Sequence, residues 1–412
     1  AELGWKAVQR LARDNYENCI RLSECDVPSI LVKSTRMYMN VEEVLEQALV
    51  SIGFLASTRP PRGNIEKASR YHLKDLLGEA GVCEVVVQII SNYTSDEAIV
   101  KASQGQSDNI GIIYLCLNAI VCLAADNGKN RERFGEYGAC EKTIAAMTLH
   151  LGSEDIAIKA CAAVLALSTD NRTNALKYSA TGTNTVIFRV IQKNSLSKKV
   201  ISTGFNALIT VLRVVAEDSV ALATTSGSAS KRKSAGGGRR GGGGFGEDMG
   251  AFDIVVKILR IHNNSKEISL KGCQLLQALI AAAVAVGSGG NIADYLPGSG
   301  GGKIIMISAK TASSVGDVLI RCMKTYTSHL RIVRFACLTM CELAIESAYS
   351  AILGNLGACQ VVISSLNRAL EPPVVEDQDH LLAIECALRA VVSLATEASN
   401  MPRLLDCHAV IS

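Results

Sequence analysis

The chain has 412 residues, a formal net charge of +3, and 48 % hydrophobic against 4 % aromatic residues, enough to build several cores from small and aliphatic side chains. So balanced a charge excludes the protein-wide basic field of a dedicated nucleic-acid binder. Seven prolines, with 34 glycines crowded into a few stretches instead of marking regular hairpins, argue against an all-β chain and for helices.

Residues 1–12 open directly on a helical pattern, and no signal or transit peptide is expected there. Leu11 closes the first of eight apolar helices, and Leu55, Leu123, Leu167, Val211, Leu279, Leu343 and Leu394 close the others. Seven residues before these anchors stand Gly4, Ala48, Cys116, Ala160, Gly204, Gly272, Ala336 and Ala387, all small. Four before stand Ala7, Ser51, Ala119, Ala163, Ala207, Leu275, Thr339 and Ala390, small except for the leucine. Three before come Val8, Ile52, Ile120, Val164, Leu208, Leu276, Met340 and Val391, all bulky. These offsets share one helix face, and a small ridge beside a bulky one lets another helix approach closely. Successive anchors lie 44, 68, 44, 44, 68, 64 and 51 residues apart. The shortest spacing recurs three times and falls in the range of roughly 40–47 residues of stacked helical repeats, so the longer ones hold loop insertions.

Junctions before the second helix of each unit recur as Gly81-Val82-Cys83, Gly138-Ala139-Cys140, Gly250-Ala251-Phe252 and Gly357-Ala358-Cys359, each leading into an apolar helix such as Val361 to Leu366. Gly182-Thr183 and Gly316-Asp317 are weaker versions, and Cys25 and Cys407 stand where the glycine would be. Asn15, Asn64, Asn171 and Asn400 open short first helices, and the cleanest unit runs from Arg131 through Thr169, with a third helix from Asp155 to Ser168. In these features the chain resembles the armadillo-repeat family. The resemblance implies an all-α fold, a right-handed superhelical solenoid of armadillo/HEAT-like three-helix repeats spanning 1–412, with about seven repeats plus partial repeats at both ends. HEAT-like geometry stays open for the units with weak junctions.

Two insertions interrupt the pattern. Residues 226–250 are a basic, Gly-rich stretch with Lys231, Arg232, Lys233, Arg239 and Arg240 among serines and glycines. It reads as a solvated tether or, alternatively, as a nuclear-localisation or RNA-contacting segment whose clustered cations attract nucleic acid or an acidic partner. The second insertion, 287–302, ends in Gly-Gly-Gly-Lys, yet Pro297 occupies the first glycine position of a phosphate-binding loop and Ile304 replaces its magnesium-holding hydroxyl residue. Between them, Leu275 to Val286 is the most apolar run, 12 residues against the roughly 20 that cross a bilayer, so it reads as a buried helix and no membrane span is expected.

Catalytic and metal-binding patterns are missing. The 14 cysteines form no CxxC pair and lie in apolar helical patterns, as free thiols in a reducing compartment do. His72, His150, His262, His329, His380 and His408 are isolated and read as surface or helix-end residues. Acid pairs such as Glu42-Glu43 and Glu376-Asp377 fit helix starts or polar loops. The expectation is a non-enzyme without cofactor or metal.

In armadillo proteins the third helices line an inner groove that receives peptides or helices. Positions one and five before the anchors lie opposite the core and are expected to line it here. The family's import adaptors carry a tryptophan and asparagine ladder at such positions. This chain places Lys6, Val50, Asn118, Ala162, Asn206, Gln274, Leu338 and Arg389 at the five-back positions. The one-back positions hold Arg10, Phe54, Cys122, Ala166, Thr210, Ala278, Glu342 and Ser393. The ladder is absent, which disfavours an import receptor, and the sole tryptophan, Trp5, falls at a core position six back. Asn118, Asn206, Gln274, Glu342 and Arg389 are the candidate groove contacts. Two readings follow: a cytoplasmic scaffold binding a protein segment along the groove, or a nuclear or RNA-associated adaptor acting through the basic loop.

Overall fold

A computed structural model describes residues 1–58, 67–95, 110–225, 250–287, 307–370 and 378–407. Among these residues it is entirely helical, and it divides into two compact units, Ala1–Val211 and Leu212–Ser412, the division falling inside the helix Lys198–Thr225. The first unit contains α1 (Glu2–Ala12), α2 (Tyr16–Glu24), α3 (Val27–Met37), α4 (Glu42–Ser57), α5 (Lys67–Glu79), α6 (Val82–Tyr93) and α7 (Ile110–Ala124). It continues with α8 (Gly128–Glu136), α9 (Ala139–Leu149), α10 (Glu154–Ser168), α11 (Arg172–Ala180), α12 (Thr183–Lys193) and, as far as Val211, α13 (Lys198–Thr225). The second contains α14 (Ala251–Ile261), α15 (Lys266–Gly287), α16 (Ala309–Thr325), α17 (Leu330–Leu343), α18 (Ser347–Asn355), α19 (Ala358–Leu370), α20 (Gln378–Ala395) and α21 (Met401–Asp406).

Three-helix units are plain in α2–α4, α5–α7, α8–α10, α11–α13 and α18–α20. Each third helix packs on its own second helix, as α7 does on α6 and α20 on α19, and on the third helices beside it, in the series α1, α4, α7, α10 and again α15, α17, α20. This sandwich explains the sequence pattern. Seven of the eight anchors are at most 2 % exposed. The small seven-back positions are pressed by second helices: a Cβ on Gly272 would lie 2.8 Å from Leu259 Cγ, and one on Gly204 would lie 2.9 Å from Ile191 Cδ1. The eighth anchor is a correction. Leu11 is 50 % exposed, and Gly4 and Ala7 are exposed too, because α1 packs mainly on α4 and α2 and covers only the flank carrying Trp5 and Ala12. Trp5 is buried, as expected.

The junctions divide by backbone geometry. Gly81, Gly138, Gly182 and Gly357 have φ of +91°, +85°, +72° and +91°, the left-handed turn that favours glycine, so the weak junction at Gly182 is a full one. At the first junction Asp26, not Cys25, takes that conformation, with φ +59°. Gly250 is extended (φ −60°, ψ 156°), and α16 runs unbroken through Gly316, so neither is such a turn. Gly316 is small for another reason: a Cβ there would lie 2.7 Å from Leu353 Cδ2. Among the described residues the α16–α17 unit therefore shows two helices. In the clean unit, the first helix begins at Gly128 instead of Arg131 and the third at Glu154.

Asparagines couple neighbouring units. Asn15, Asn127 and Asn171 cap their helices by accepting the N–H of Asn18, Asn130 and Asn174, each at 2.9 Å. The buried amides one turn on then reach across: Asn130 donates to the carbonyls of Lys74 (2.9 Å) and Leu123 (3.3 Å), and Asn174 to those of Arg131 (2.8 Å) and Leu167 (3.2 Å). Asn400 does the same with Ser350 (3.0 Å) and Leu394 (3.1 Å). Asn64 lies outside the described residues. The 14 cysteines are free, ten of them buried, and burial pushes the Cys83, Cys140 and Cys161 thiols up to about 12, which keeps them protonated. Lys198–Asp218 is long and apolar enough to cross a bilayer, but 56 % of that stretch is buried inside the protein, as in a core helix.

Candidate functional site

The outward face of the third helices carries the side chains that packing does not consume. In the first unit it presents Gln47, Val50 and Phe54 on α4, then Tyr114, Leu115, Asn118 and Cys122 on α7. Lys159, Ala162 and Ala166 follow on α10, and Asn206 and Thr210 on α13, all half-buried. Neighbouring helices are joined across it by polar contacts. Gln9 of α1 donates to the carbonyl (2.9 Å) and side-chain oxygen (3.1 Å) of Gln47, and Lys159 donates to Asn118 Oδ1 at 2.7 Å. The same ammonium lies 5.3 Å from the Tyr114 ring centroid, and Arg13 sits 5.4 Å over Phe54. Asn118 also packs above Gly53, where a Cβ would stand 3.4 Å from its amide nitrogen.

In the second unit the equivalent face carries Gln274 and Gln277 on α15, Leu338, Cys341 and Glu342 on α17, and Arg389 and Ser393 on α20. Gln277 Nε2 donates to Glu342 Oε1 at 3.1 Å, while Glu342 Oε2 is buried without a hydrogen-bond partner. Burial pushes the Glu342 carboxyl up to about 7, the Gln277 hydrogen bond opposing that rise. Arg389 is exposed and pairs with Glu385 at 2.9 Å, and Arg334 pairs with Asp379 at 3.5 Å while lying over the Phe335 ring.

Of the five residues expected to line a groove, Asn118 and Asn206 belong to the first unit and Gln274, Glu342 and Arg389 to the second, each on the outward face of a third helix. Ala278, a one-back position, is buried at 6 % exposure and lines nothing. The acceptor of Asn118 is already taken by Lys159. Lys159, Tyr114 and Gln277 were missed by the two-row reading. Extending the stripe one more turn, to eight before the anchor, would have found Lys159. The basic-loop residues Lys231, Arg232, Lys233, Arg239 and Arg240, and the second insertion apart from Gly287, lie outside the described residues. Of the histidines, His262 and His380 are buried instead of surface residues, both near helix ends, with His380 Nε2 2.5 Å from the Ala369 carbonyl.

No protein-family profile and no curated protein matches the sequence. Among solved structures, an engineered protein from the Northeast Structural Genomics Consortium is similar over 99 % of this chain and 88 % of its own, at 13 % identity and a TM-score of 0.54. A designed armadillo repeat protein is similar over 68 % of this chain and 92 % of its own, at 18 % identity and a TM-score of 0.46. The first likeness shows the fold alone, an all-α array of helical repeats, and the left-handed glycines stand at the junctions through which the sequence resembles armadillo repeats.

Proposed function

We propose that this armadillo-like array is a non-catalytic protein-interaction scaffold, with the outward face of its third helices as the docking surface. What carries the reading is the composition of that face. Small, aliphatic and amide side chains stand half-buried in rows over an otherwise sealed core, an arrangement suited to holding a polypeptide by shape and hydrogen bonds. Among the described residues no group of three or more His, Cys, Asp or Glu side chains is placed to hold a metal ion. Affinity capture from native extract tests the proposal with two variants. The first replaces Asn206, Gln274 and Arg389 together with alanine. The second replaces residues 226–249 with a short Gly-Ser turn. The scaffold reading expects the face variant to lose protein partners that the loop variant keeps. The opposite pattern, or recovery of RNA that depends on the loop and falls steeply with salt, would replace it with the basic-loop reading.

A further inference from the structure

We infer that the third-helix face of the second unit recognises a lysine or arginine side chain of its protein partner, which docks on Glu342 between α15 and α17. The inference rests on the scaffold reading and deepens it. Its ground is a charge account of that face. Lys271 pairs with Glu267 at 2.7 Å, Arg334 with Asp379 at 3.5 Å, and Arg389 with Glu385 at 2.9 Å, so each of these cations has an acid beside it. Glu342 has no ion-pair partner among the described residues. One oxygen is held by the neutral amide of Gln277, and the other is buried with nothing donating to it. A half-buried carboxylate left one donor short is costly unless a donor arrives, and a charged one satisfies it best. Leu338, one turn back on α17 and half-buried, offers an apolar surface for the methylene stem of such a side chain. The groups around the site are Gln277 from α15, Cys341 on the same helix, and Cys386, Ser393 and the Arg389–Glu385 pair from α20. None of these supplies an uncompensated cation, so among the described residues Glu342 has no complement of its own.

The test uses the full chain, immobilised, and two pools of end-blocked decapeptides, randomised except for a central lysine or, in the second pool, a central norleucine of similar length and no charge. Near pH 8, where the carboxyl is ionised, the parent is expected to retain the lysine pool roughly tenfold over the norleucine pool. That ratio should fall to about one in Glu342→Gln and persist in Asp406→Asn, which removes an exposed acid on α21. A second measurement needs no variant: at about pH 5 the parent itself should lose the preference, because Glu342 is then protonated while ordinary carboxylates are not. A preference that survives both Glu342→Gln and low pH overturns the inference. Equal retention of the two pools by the parent also overturns it and leaves the scaffold reading standing, whereas retention of neither pool counts against both.

Discussion

Gly135→Ala is a substitution for which two physical effects give opposite signs. Gly135 lies in the last turn of α8, and by helix propensity alone alanine there would add about 1 kcal/mol of stability. The structure reverses this. A Cβ at Gly135 would overlap Asn174 Oδ1 and stand 2.9 Å from its Cγ. Asn174 is 1 % exposed and spends its amide on Arg131 and Leu167 of the preceding unit, so it cannot swing into solvent without abandoning both bonds. Leaving the two buried partners unsatisfied costs about 1–3 kcal/mol each, which outweighs the propensity gain and leaves a net loss of about 1–5 kcal/mol. Urea unfolding followed by circular dichroism measures it, with Gly128→Ala as the reference, since a Cβ there meets nothing within 4 Å. The first variant should unfold at lower urea than the parent and the second at the same or slightly higher urea. In an Asn174→Ala background Gly135→Ala should turn stabilising, because the obstacle has gone. If Gly135→Ala is as stable as the parent in the wild-type background, the asparagine coupling does not bear on stability and this account of it fails.

Leu167→Ala should cost about 2–5 kcal/mol through the cavity it leaves, and Ala163→Arg at least as much because it drives bulk and charge into a sealed contact, both read by thermal melting. Asp26→Gly should stabilise by up to about 1 kcal/mol, since an exposed non-glycine residue there holds φ +59°; unchanged or lower melting would contradict this. Glu342 gives a pH dependence. Its folded carboxyl titrates near 7 against an ordinary value of 4.5, so the stability its retained proton contributes is fully present below 4.5 and is lost as the pH rises through 7. Glu342→Gln should therefore gain on the parent over that window and end about 1–3 kcal/mol ahead near pH 8, after allowance for the partial exposure of the site. A difference that does not change with pH would show that the carboxyl is not perturbed.

The repeat and its core were legible because they are periodic. A third helix clamped by a second helix and two neighbours must place small residues where backbones approach and branched ones where gaps need filling, and seven anchors obey this. Leu11 shows the limit: its spacing fits, but burial depends on a helix lying against that flank, and spacing carries no information about that. Glycine misled for a related reason. It serves a left-handed turn at Gly138 and a close approach at Gly135 or Gly316, and the letter is the same in both. The asparagine couplings did leave a trace. Asn15-Asn18-Arg21, Asn127-Asn130-Arg133 and Asn171-Asn174-Lys177 repeat one spacing, the first amide capping the helix and the second reaching the unit before it.

The candidate site was legible as a face and not as a set of contacts, and the difference has a physical cause. Helical geometry fixes which side of a third helix points away from the core, so Asn118, Asn206, Gln274, Glu342 and Arg389 could be placed from numbers alone. Whether such a side chain is available depends on what the adjacent helix puts opposite it, some 40 to 70 residues away in the chain. Lys159 of α10 takes the acceptor of Asn118, while the described helices beside Glu342 offer it only the amide of Gln277. Rows that look equivalent in sequence thus differ in chemistry: Gln9, Lys159 and Gln277 reach across to the next helix, while Glu342 keeps one buried oxygen without a donor. In a repeat array each position is reused in every unit, so register and recognition compete for the same places. On the scaffold reading proposed above, a partner is then selected by the few positions where register makes no claim.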